Sequence, residues 1–335
     1  MQKILVIQTA FIGDAVLATG IVEKLHNYYP AAAIDYMVRK GNEGLLQDHP
    51  FIKEILVWNK KEKKLLHLWQ LLKKIRTKKY DAVINVQRYA ATGLLTAFSG
   101  AKYRIGYDKN PLSFLFTTKI PHRKSTAEQP VHETARCNDL IKELTGPVAF
   151  KPVLYPTAEA YNKVIALQQQ PYITIAPASV WFTKQYPAQQ WAAFIRQLPA
   201  GIKVFLLGAP SDTQLCNEII NESGRSDAAQ NCCGQFSFLE SAALMKNAVM
   251  NYVNDSAPMH FASAVNAPVA AIYCSTLPSF GYGPLSDNRH IIEAQEPLAC
   301  RPCGGHGRKE CPEGHFNCGY KITPHQLLAV LAANG

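Results

Sequence analysis

An aspartate directly after the first apolar segment is the earliest candidate for chemistry in the chain. Lys3–Gln8 is a strand-like run and Ala15–Leu25 has the apolar spacing of a helix, with Gly13 and Asp14 between them. In open α/β sheets, ligands bind where strands end and helices begin. A dinucleotide site would have several glycines at this turn, whereas this turn has one glycine and a carboxylate. The pattern favours an acid presented to a substrate, although helix capping by Asp14 explains the same residues equally well.

Two turns of the second half place polar side chains between a strand-like run and a helical pattern. Residues 176–187 contain Ser179, Thr183 and Lys184, and hydroxyls with an ammonium group at a strand end suit a phosphate. The turn after a later strand-like run carries Asp212, and an acid in that position can bind ribose hydroxyls. An ordinary surface loop is the competing interpretation for both turns.

A third segment, residues 254–260, ends a strand-like run and opens a helix. The amides at such a helix N-terminus can hold an anion. Asp255 could cap the helix, contact a sugar hydroxyl, or do both, with Ser256 and Ala257 beside it. His260 falls in the first helical turn and, taken alone, is better explained as a structural histidine.

Strand-like runs alternate with helical patterns in both halves of the chain. This order predicts an α/β protein in which each half contains a parallel sheet with helices on both faces. The Gly- and Pro-containing connection around residues 146–156 predicts two domains, 1–150 and 151–335. The strand-like runs that follow the first are residues 33–38, 55–58, 81–86, 102–107, 172–176, 203–208, 248–253 and 269–273.

Length and composition narrow the class of protein. A chain of 335 residues fits two domains, and no apolar run approaches the ~20 residues that span a bilayer. The N-terminus is strand-like and lacks the pattern of a signal peptide. Nine cysteines without such a signal indicate reduced thiols in a cytoplasmic protein.

Positive charge is concentrated in the first half. Residues 1–150 contain 23 Lys and Arg against 13 Asp and Glu, whereas the remaining residues contain 12 of each kind. This asymmetry predicts an acidic partner, such as nucleic acid, anionic lipid or a phosphorylated substrate. No nucleic-acid-binding motif accompanies the charge, which disfavours nucleic acid. The leucines of residues 65–75, with Trp69, lie between basic runs and could form a membrane-surface helix or core.

Taken together, these segments resemble the ADP-heptose:lipopolysaccharide heptosyltransferases, glycosyltransferase family 9. The resemblance is carried by Ile12–Asp14 with its helix, by residues 179–187, by the turn at Gly208, and by Asn254–His260. It extends to the cysteine-bearing segment of residues 300–318, and its order and spacing cover almost the whole chain.

The resemblance implies a GT-B fold, in which two Rossmann-like domains face a central cleft. The first domain would bind the acceptor and the second the sugar nucleotide. The implied reaction is an inverting, metal-independent transfer of heptose from ADP-heptose to a lipopolysaccharide core or related surface glycan. Asp14 maps onto the general base and Lys184 onto the lysine that stabilises the departing ADP. The expected donor-binding residues are Ser179, Thr183, Lys184, Asp212, Asp255, Ser256, Ala257 and His260.

Some positions depart from the family pattern or do not carry over. Ala257 and Pro258 stand where many members have glycine and a different small residue, which leaves the donor sugar open. No acceptor-binding residue can be transferred, because those positions vary within the family. The expected partners are ADP-heptose, an acidic lipopolysaccharide acceptor and the anionic inner-membrane surface. The expected location is the cytoplasm, with peripheral contact at the inner face of the inner membrane as an option.

Four cysteines near the C-terminus form a separate candidate site. Cys300 and Cys303 form a CxxC pair, and Cys311 and Cys318 follow. Such a set could close a tetrahedral structural zinc site. Reduced thiols that pack a loop, or a disulfide formed on isolation, are the alternatives, and the transfer chemistry itself requires no metal.

Three other functions compete with the heptosyltransferase interpretation. The first is a glycosyltransferase that uses another nucleotide sugar. The second is a dinucleotide enzyme such as a dehydrogenase, which the absence of GxGxxG after the first strand disfavours. The third is a nucleotide- or polyanion-binding protein without transferase activity.

Overall fold

A computed structural model describes residues 1–126 and 128–334. The chain divides into two compact units. The first contains Met1–Ser125 and Val131–Tyr155, and the second contains Thr126–Pro130 and the chain from Pro156 onward. The expected boundary, after residue 150, lies within the last stretch of the first unit.

The first unit contains a parallel α/β sheet. Its described strands are β1 (Lys3–Ile7), β2 (Ala33–Arg39), β3 (Ile52–Trp58), β4 (Ala82–Asn85), β5 (Tyr103–Tyr107) and β6 (Thr118–Ile120). They pair in the order β3-β2-β1-β4-β5-β6, and every pairing is parallel. The helices are α1 (Ile12–Leu17), α2 (Thr19–Tyr28), α3 (Lys64–Lys78), α4 (Ala90–Ala97), α5 (Glu133–Asp139) and α6 (Lys142–Thr145).

The second unit repeats this architecture. Its described strands are β7 (Tyr172–Ala176), β8 (Lys203–Leu206), β9 (Ala229–Asn231), β10 (Met250–Asn254), β11 (Val269–Tyr273) and β12 (Arg289–Glu293). They pair in parallel in the order β12-β11-β10-β7-β8-β9. The helices are α7 (Ala158–Val164), α8 (Ala188–Arg196), α9 (Thr213–Ser223), α10 (Phe238–Lys246), α11 (Ala257–Ala264), α12 (Asn317–Tyr320) and α13 (Pro324–Ala332).

The central strands are buried on both faces. In β1 only Lys3 is exposed, and every residue of β7, β10 and β11 is buried. This burial explains why β1, β7 and β11 are mostly apolar runs rather than alternating ones. In β10 the buried Asn251 accepts from the hydroxyl of Thr174 and donates to the carbonyl oxygen of Met245. The predicted α/β class, with a parallel sheet in each half, is confirmed.

Helix α3 packs on the first sheet through one face only. Leu68, Leu71, Leu72 and Ile75 are buried in a core that includes side chains of β1, β3 and β4. The sequence left open whether the leucines of this helix form core or a surface. The structure shows both outcomes, since these four side chains are core and the other apolar side chains of α3 are exposed.

Strand order reverses once in each sheet. In the first sheet β1 lies between β2 and β4, and in the second β7 lies between β8 and β10. The loops that leave the two neighbouring strands then run to opposite sides, which opens a crevice at the carboxyl ends of the strands. The loops after β1 and β7 therefore occupy the positions where α/β sheets bind ligands.

Candidate active site

Asp14 lies in the first turn of α1, directly after the loop that follows β1. The helix begins after Phe11, whose extended backbone occupies the N-cap position without a side-chain cap. Asp14 is therefore three positions past the N-cap, where the positive end of the helix dipole stabilises a carboxylate. The next three residues of α1 are buried, and Asp14 itself is half-buried.

The environment of Asp14 makes its carboxyl group less acidic than usual. Burial, the largest cause, and the negative charge of Glu133 raise the pKa of Asp14 to about 6. Backbone amides at Phe11 and Asp14 and the charge of Arg136 act in the opposite direction. A carboxylate with a pKa near 6 is largely ionised at neutral pH and still has an appreciable affinity for a proton. These are the properties of a general base.

Residues of α5 that sequence reasoning missed supply the charges that act on Asp14. Glu133 and Arg136 are both buried and form an ion pair one turn apart. The hydroxyl of Tyr107, at the end of β5, donates to the carbonyl oxygen of Arg136 at 2.9 Å. No motif marks these two charged residues in the sequence.

Cationic groups follow β4 and β6 at the same edge of the first sheet. Burial and the positive charges of Arg88 and Arg136 lower the pKa of His122 to about 4, so this imidazole is neutral at neutral pH. Arg88 is exposed after β4, and Arg123 is exposed while its guanidinium contacts Asp139 at 2.5 Å. Exposed guanidinium groups therefore follow two strands at this edge of the sheet, and one of them is paired with Asp139.

In the second unit, Lys184 and Asp255 are brought together. The Nζ atom of Lys184 lies 2.7 Å from Oδ2 of Asp255, and both side chains are largely buried. The hydroxyl of Thr276 donates to the same carboxylate oxygen at 2.6 Å. Lys184 follows β7, Asp255 follows β10 and Thr276 follows β11. The neighbouring strands β7 and β10 thus place an ammonium group and a carboxylate at the reversal point of the second sheet.

Thr183 is held by backbone and side-chain contacts of its own. It is almost fully buried, and its Oγ1 accepts hydrogen bonds from the amide of Arg308 at 2.8 Å and from the hydroxyl of Ser275 at 3.0 Å. Its amide also donates to the carbonyl oxygen of Arg308 at 3.1 Å. In this structure Thr183 fixes the loop that carries Lys184.

Asn254 also organises this edge, and sequence reasoning did not single it out. Its side chain is fully buried, its Oδ1 accepts from the amide of Tyr186 at 3.0 Å, and its Nδ2 donates to the carbonyl oxygen of Pro177 at 2.7 Å. These two bonds tie the loop after β7 to the end of β10. Because buried amides need partners, Asn254 fixes the separation of the two loops.

The remaining predicted donor-binding residues have different surroundings. Ser179 is half-buried in the loop after β7, and Ser256 is half-buried at the N-cap of α11 without a side-chain cap bond. Ala257 is the first residue of α11, and His260 is buried within it. The Asp212 carboxylate accepts from the amide of Ala209 at 2.8 Å, so it already closes its own turn.

The four C-terminal cysteines do not form a metal site in this structure. Within residues 1–126 and 128–334, no three His, Cys, Asp or Glu side chains form a group that could hold a metal ion. Cys318 is buried in the second unit's core, and burial with the neighbouring thiols raises its pKa to about 12. A structural zinc ion held by the four cysteines stays a prediction.

None of the described helices combines the length and the apolar character needed to cross a bilayer.

The two parallel α/β units, each with polar groups at its reversal point, define the GT-B class of glycosyltransferases. An E. coli structure described as ADP-heptose lps heptosyltransferase II superposes with a TM-score of 0.78 at 22% identity, covering 99% of this chain and 98% of that one. The family 9 glycosyl transferase from Veillonella parvula superposes with a TM-score of 0.85 at 20% identity, covering 99% and 97%.

The sequence comparisons identify the family of the chain, which the fold alone does not. The model of glycosyltransferase family 9 (heptosyltransferase) matches residues 68–314, and the chain belongs to that family. A relative from Escherichia coli, lipopolysaccharide heptosyltransferase 3, is 26% identical over 280 residues, which cover 79% of this chain and 82% of the relative. The protein is therefore a glycosyltransferase, and a binding protein without transferase activity is the wrong interpretation.

The raised pKa of Asp14 predicts a pH-dependent effect of Asp14→Asn on stability. Above pH ~4 the unfolded chain ionises this carboxyl freely, whereas the folded protein resists ionisation up to about pH 6. The free energy of unfolding of Asp14→Asn should therefore exceed that of the wild type by ~2 kcal/mol at pH 8, and by much less near pH 4.5. Urea denaturation at the two pH values measures the difference.

Asp48→Asn is the matched control, because Asp48 is exposed and has a positive φ, which Asn also adopts readily. A gain of stability for Asp14→Asn that is equal at both pH values would contradict the raised pKa.

Proposed function

We propose that this enzyme transfers a heptose from ADP-heptose to an acidic acceptor of the lipopolysaccharide core. The names of the E. coli relative and of the E. coli structure support the donor and the acceptor. The observation that carries the proposal is Asp14, a carboxylate with a pKa of about 6 at the reversal point of the first sheet.

Asp14 acts as the general base. Its carboxylate accepts the proton of the acceptor hydroxyl while the hydroxyl oxygen forms a bond to the anomeric carbon. The bond from that carbon to the diphosphate oxygen breaks, and its electron pair leaves with ADP. Attack opposite the departing group inverts the anomeric configuration. Positioned proton transfer of this kind contributes ~10²- to 10⁴-fold to the rate.

Lys184 stabilises the departing diphosphate. Negative charge grows on the leaving oxygen in the transition state, and a fixed ammonium group in a dry site offsets it. Asp255, which accepts a hydrogen bond from the hydroxyl of Thr276, holds the Lys184 ammonium in the free enzyme, so the cation is oriented before the donor binds. The hydroxyl of Ser179 accepts a long hydrogen bond from the amide of Trp181 at 3.5 Å, and that of Ser256 donates to the carbonyl oxygen of Asn254 at 3.3 Å. We assign these weakly held hydroxyls and the amide of Ala257 to the phosphates and the sugar of the donor.

Three predicted donor residues are assigned narrower roles. Thr183 and Asp212 already have partners in their own loops, so we assign them to loop geometry rather than to donor contact. His260 is buried in α11, and we assign it to the support of the Asp255–Ala257 loop.

The charge of the first unit matches an acidic acceptor. Arg88 and Arg123 are exposed at the carboxyl edge of the first sheet, and the first 150 residues carry ten more basic than acidic side chains. A phosphorylated or carboxylated sugar would be attracted to this edge, next to the general base. The proposed mechanism requires no metal ion from the protein.

Asp14→Asn tests the base. We expect kcat/KM to fall by ~10³-fold, because the amide cannot accept the proton, while ADP binds as it does to the wild type. In the wild type, log(kcat/KM) should rise with pH up to about 6 and then level off, as expected from the pKa of Asp14. The measurement is acceptor-dependent ADP release from ADP-heptose, with titration calorimetry for ADP and Asp48→Asn as control. Undiminished turnover would exclude Asp14 as the base, and release from other nucleotide sugars alone would exclude the donor.

Lys184→Met tests the proposed stabilisation of the departing diphosphate by the Lys184 ammonium group. Loss of the cation should lower kcat by ~10²- to 10³-fold, since charge stabilisation is strongest in the transition state, and should weaken ADP binding. Lys321→Met is the matched control in the same unit, because Lys321 is exposed and pairs only with Glu296 on the surface. Equal ADP affinity and kcat in the Lys184 and Lys321 variants would refute the assignment.

A further inference from the structure

One face of α3 is exposed although it carries large apolar side chains. Leu65 is 70% exposed, Leu66 50% and Trp69 57%. Leu65, Trp69, Lys73 and Arg76 follow the spacing i, i+4, i+8 and i+11, which a helix places on one side, with Leu66 next to them. These five residues are named the outer face of α3.

Helix α3 is fixed to the sheet from its other side. Its buried leucines and Ile75 pack in the first unit's core. The Lys78 ammonium lies 2.6 Å from Oδ2 of Asp35, and Lys74 contacts Glu54 at 2.5 Å. The outer face is therefore presented by a rigid element, and these two lysines already have acidic partners.

The lysines around the outer face are not paired in this way. Lys61, Lys63, Lys64 and Lys73 are exposed. Among the described residues, no carboxylate lies within ion-pair distance of these four lysines. The outer face of α3, with Lys61, Lys63 and Lys64 at the N-terminal end of the helix, therefore combines three exposed apolar side chains with four cations free to meet an anionic surface.

We propose that the outer face of α3 docks the enzyme on an anionic lipid bilayer. Apolar side chains enter the boundary between headgroups and acyl chains, while lysines beside them reach the anionic headgroups. Each cation near such a surface adds a modest attraction, and several together are needed for stable binding. The inference rests on the proposed function for its purpose, because a lipopolysaccharide acceptor is carried by a membrane.

Two further observations favour a bilayer over a second copy of the chain. A two-fold contact through the outer face would bring the lysine cluster of one copy against the same cluster of the other, and like charges would repel. The Arg76 guanidinium donates to the carbonyl oxygen of Phe98 at 3.1 Å, and the Phe98 ring is 48% exposed. An aromatic side chain thus borders the far end of the outer face, as at membrane interfaces.

Vesicle co-sedimentation tests the proposal with the full chain. The wild type should bind vesicles of phosphatidylcholine mixed with phosphatidylglycerol, bind phosphatidylcholine alone weakly, and be released by salt. The variant Leu65→Gln/Leu66→Gln/Trp69→Gln should bind the anionic vesicles more than ~10-fold less tightly. Wild-type protein that stays in the supernatant, or a triple variant that binds as the wild type does, would overturn the proposal.

A matched triple variant controls for loss of exposed apolar surface in general. Val148→Gln/Ile165→Gln/Ile291→Gln alters side chains that are 70%, 57% and 48% exposed and lie outside α3, and this variant should bind as the wild type does. Equal loss of binding in both triple variants would also overturn the assignment to α3.

Trp69 provides a readout that does not depend on folding of the triple variant. Trp58 and Trp191 are buried and Trp181 is half-buried, so the part of a fluorescence blue shift on adding anionic vesicles that Trp69→Phe removes belongs to Trp69. Trp69→Phe should retain vesicle binding and lose most of the shift. Vesicle binding with an unchanged spectrum in the wild type would place the contact elsewhere.

The same variants separate this inference from the proposed function. With a water-soluble acceptor fragment, the Leu65/Leu66/Trp69 variant should have wild-type kcat/KM, whereas with acceptor embedded in vesicles it should be slower. Absence of heptose transfer by the wild type to either acceptor would refute the proposed function and leave vesicle binding intact. A wild type that is dimeric by light scattering, with a monomeric triple variant, would identify the outer face as a self-contact and overturn the membrane assignment.

Discussion

The burial of both sheets on both faces is the constraint on which the site depends. The core strands of each unit have almost no solvent-exposed face, and polar side chains inside them, such as Thr174 and Asn251, bond within the protein, so polar groups that can reach a ligand lie where those strands end. Reversal of strand order beside β1 and beside β7 then selects which ends are open to a ligand. Asp14, Lys184 and Asp255 all lie at such ends, in segments where the apolar run stops.

Both charged groups of the proposed mechanism are held in environments that are unfavourable to them. Asp14 is partly removed from water near the negative charge of Glu133, which raises its proton affinity. Lys184 is largely buried and depends on Asp255 and Thr276 for compensation. A base must retain affinity for a proton, and a preoriented cation must not need to reorganise during the reaction. The raised proton affinity of Asp14 and the fixed orientation of Lys184 are therefore the properties that the proposed transfer requires.

The sequence predicted the fold class well because a doubly covered parallel sheet has a simple signature. Continuous apolar runs such as those of β7 and β11 cannot alternate, and they are easily recognised. The short outer strands β6, β9 and β12 were missed, since their residues are fewer and more polar. The first strand was recognised from its apolar run. The turn after it has a single glycine and Asp14, and the lack of further glycines disfavoured a dinucleotide site.

The partners of the site residues were less predictable than the residues themselves. Thr183 looked like a phosphate ligand, but its contacts with Ser275 and Arg308 come from segments far along the chain. Asn254 was part of a recognised motif, yet its bonds to the loop after β7 depend on the pairing of β7 with β10. Motifs specify residue types at strand ends, whereas long-range contacts decide which of them face a ligand.

Helix α3 shows the same principle on the surface. The leucines of α3 are alike in type, and their mixed three- and four-residue spacing does not show which of them are buried and which are exposed. The sheet divides them, because packing of Leu68, Leu71, Leu72 and Ile75 fixes the rotation of the helix. The ion pairs of Lys74 and Lys78 stabilise that rotation on the side of β2 and β3. Once it is fixed, Trp69 and its apolar neighbours must point away from the core, which leaves them exposed.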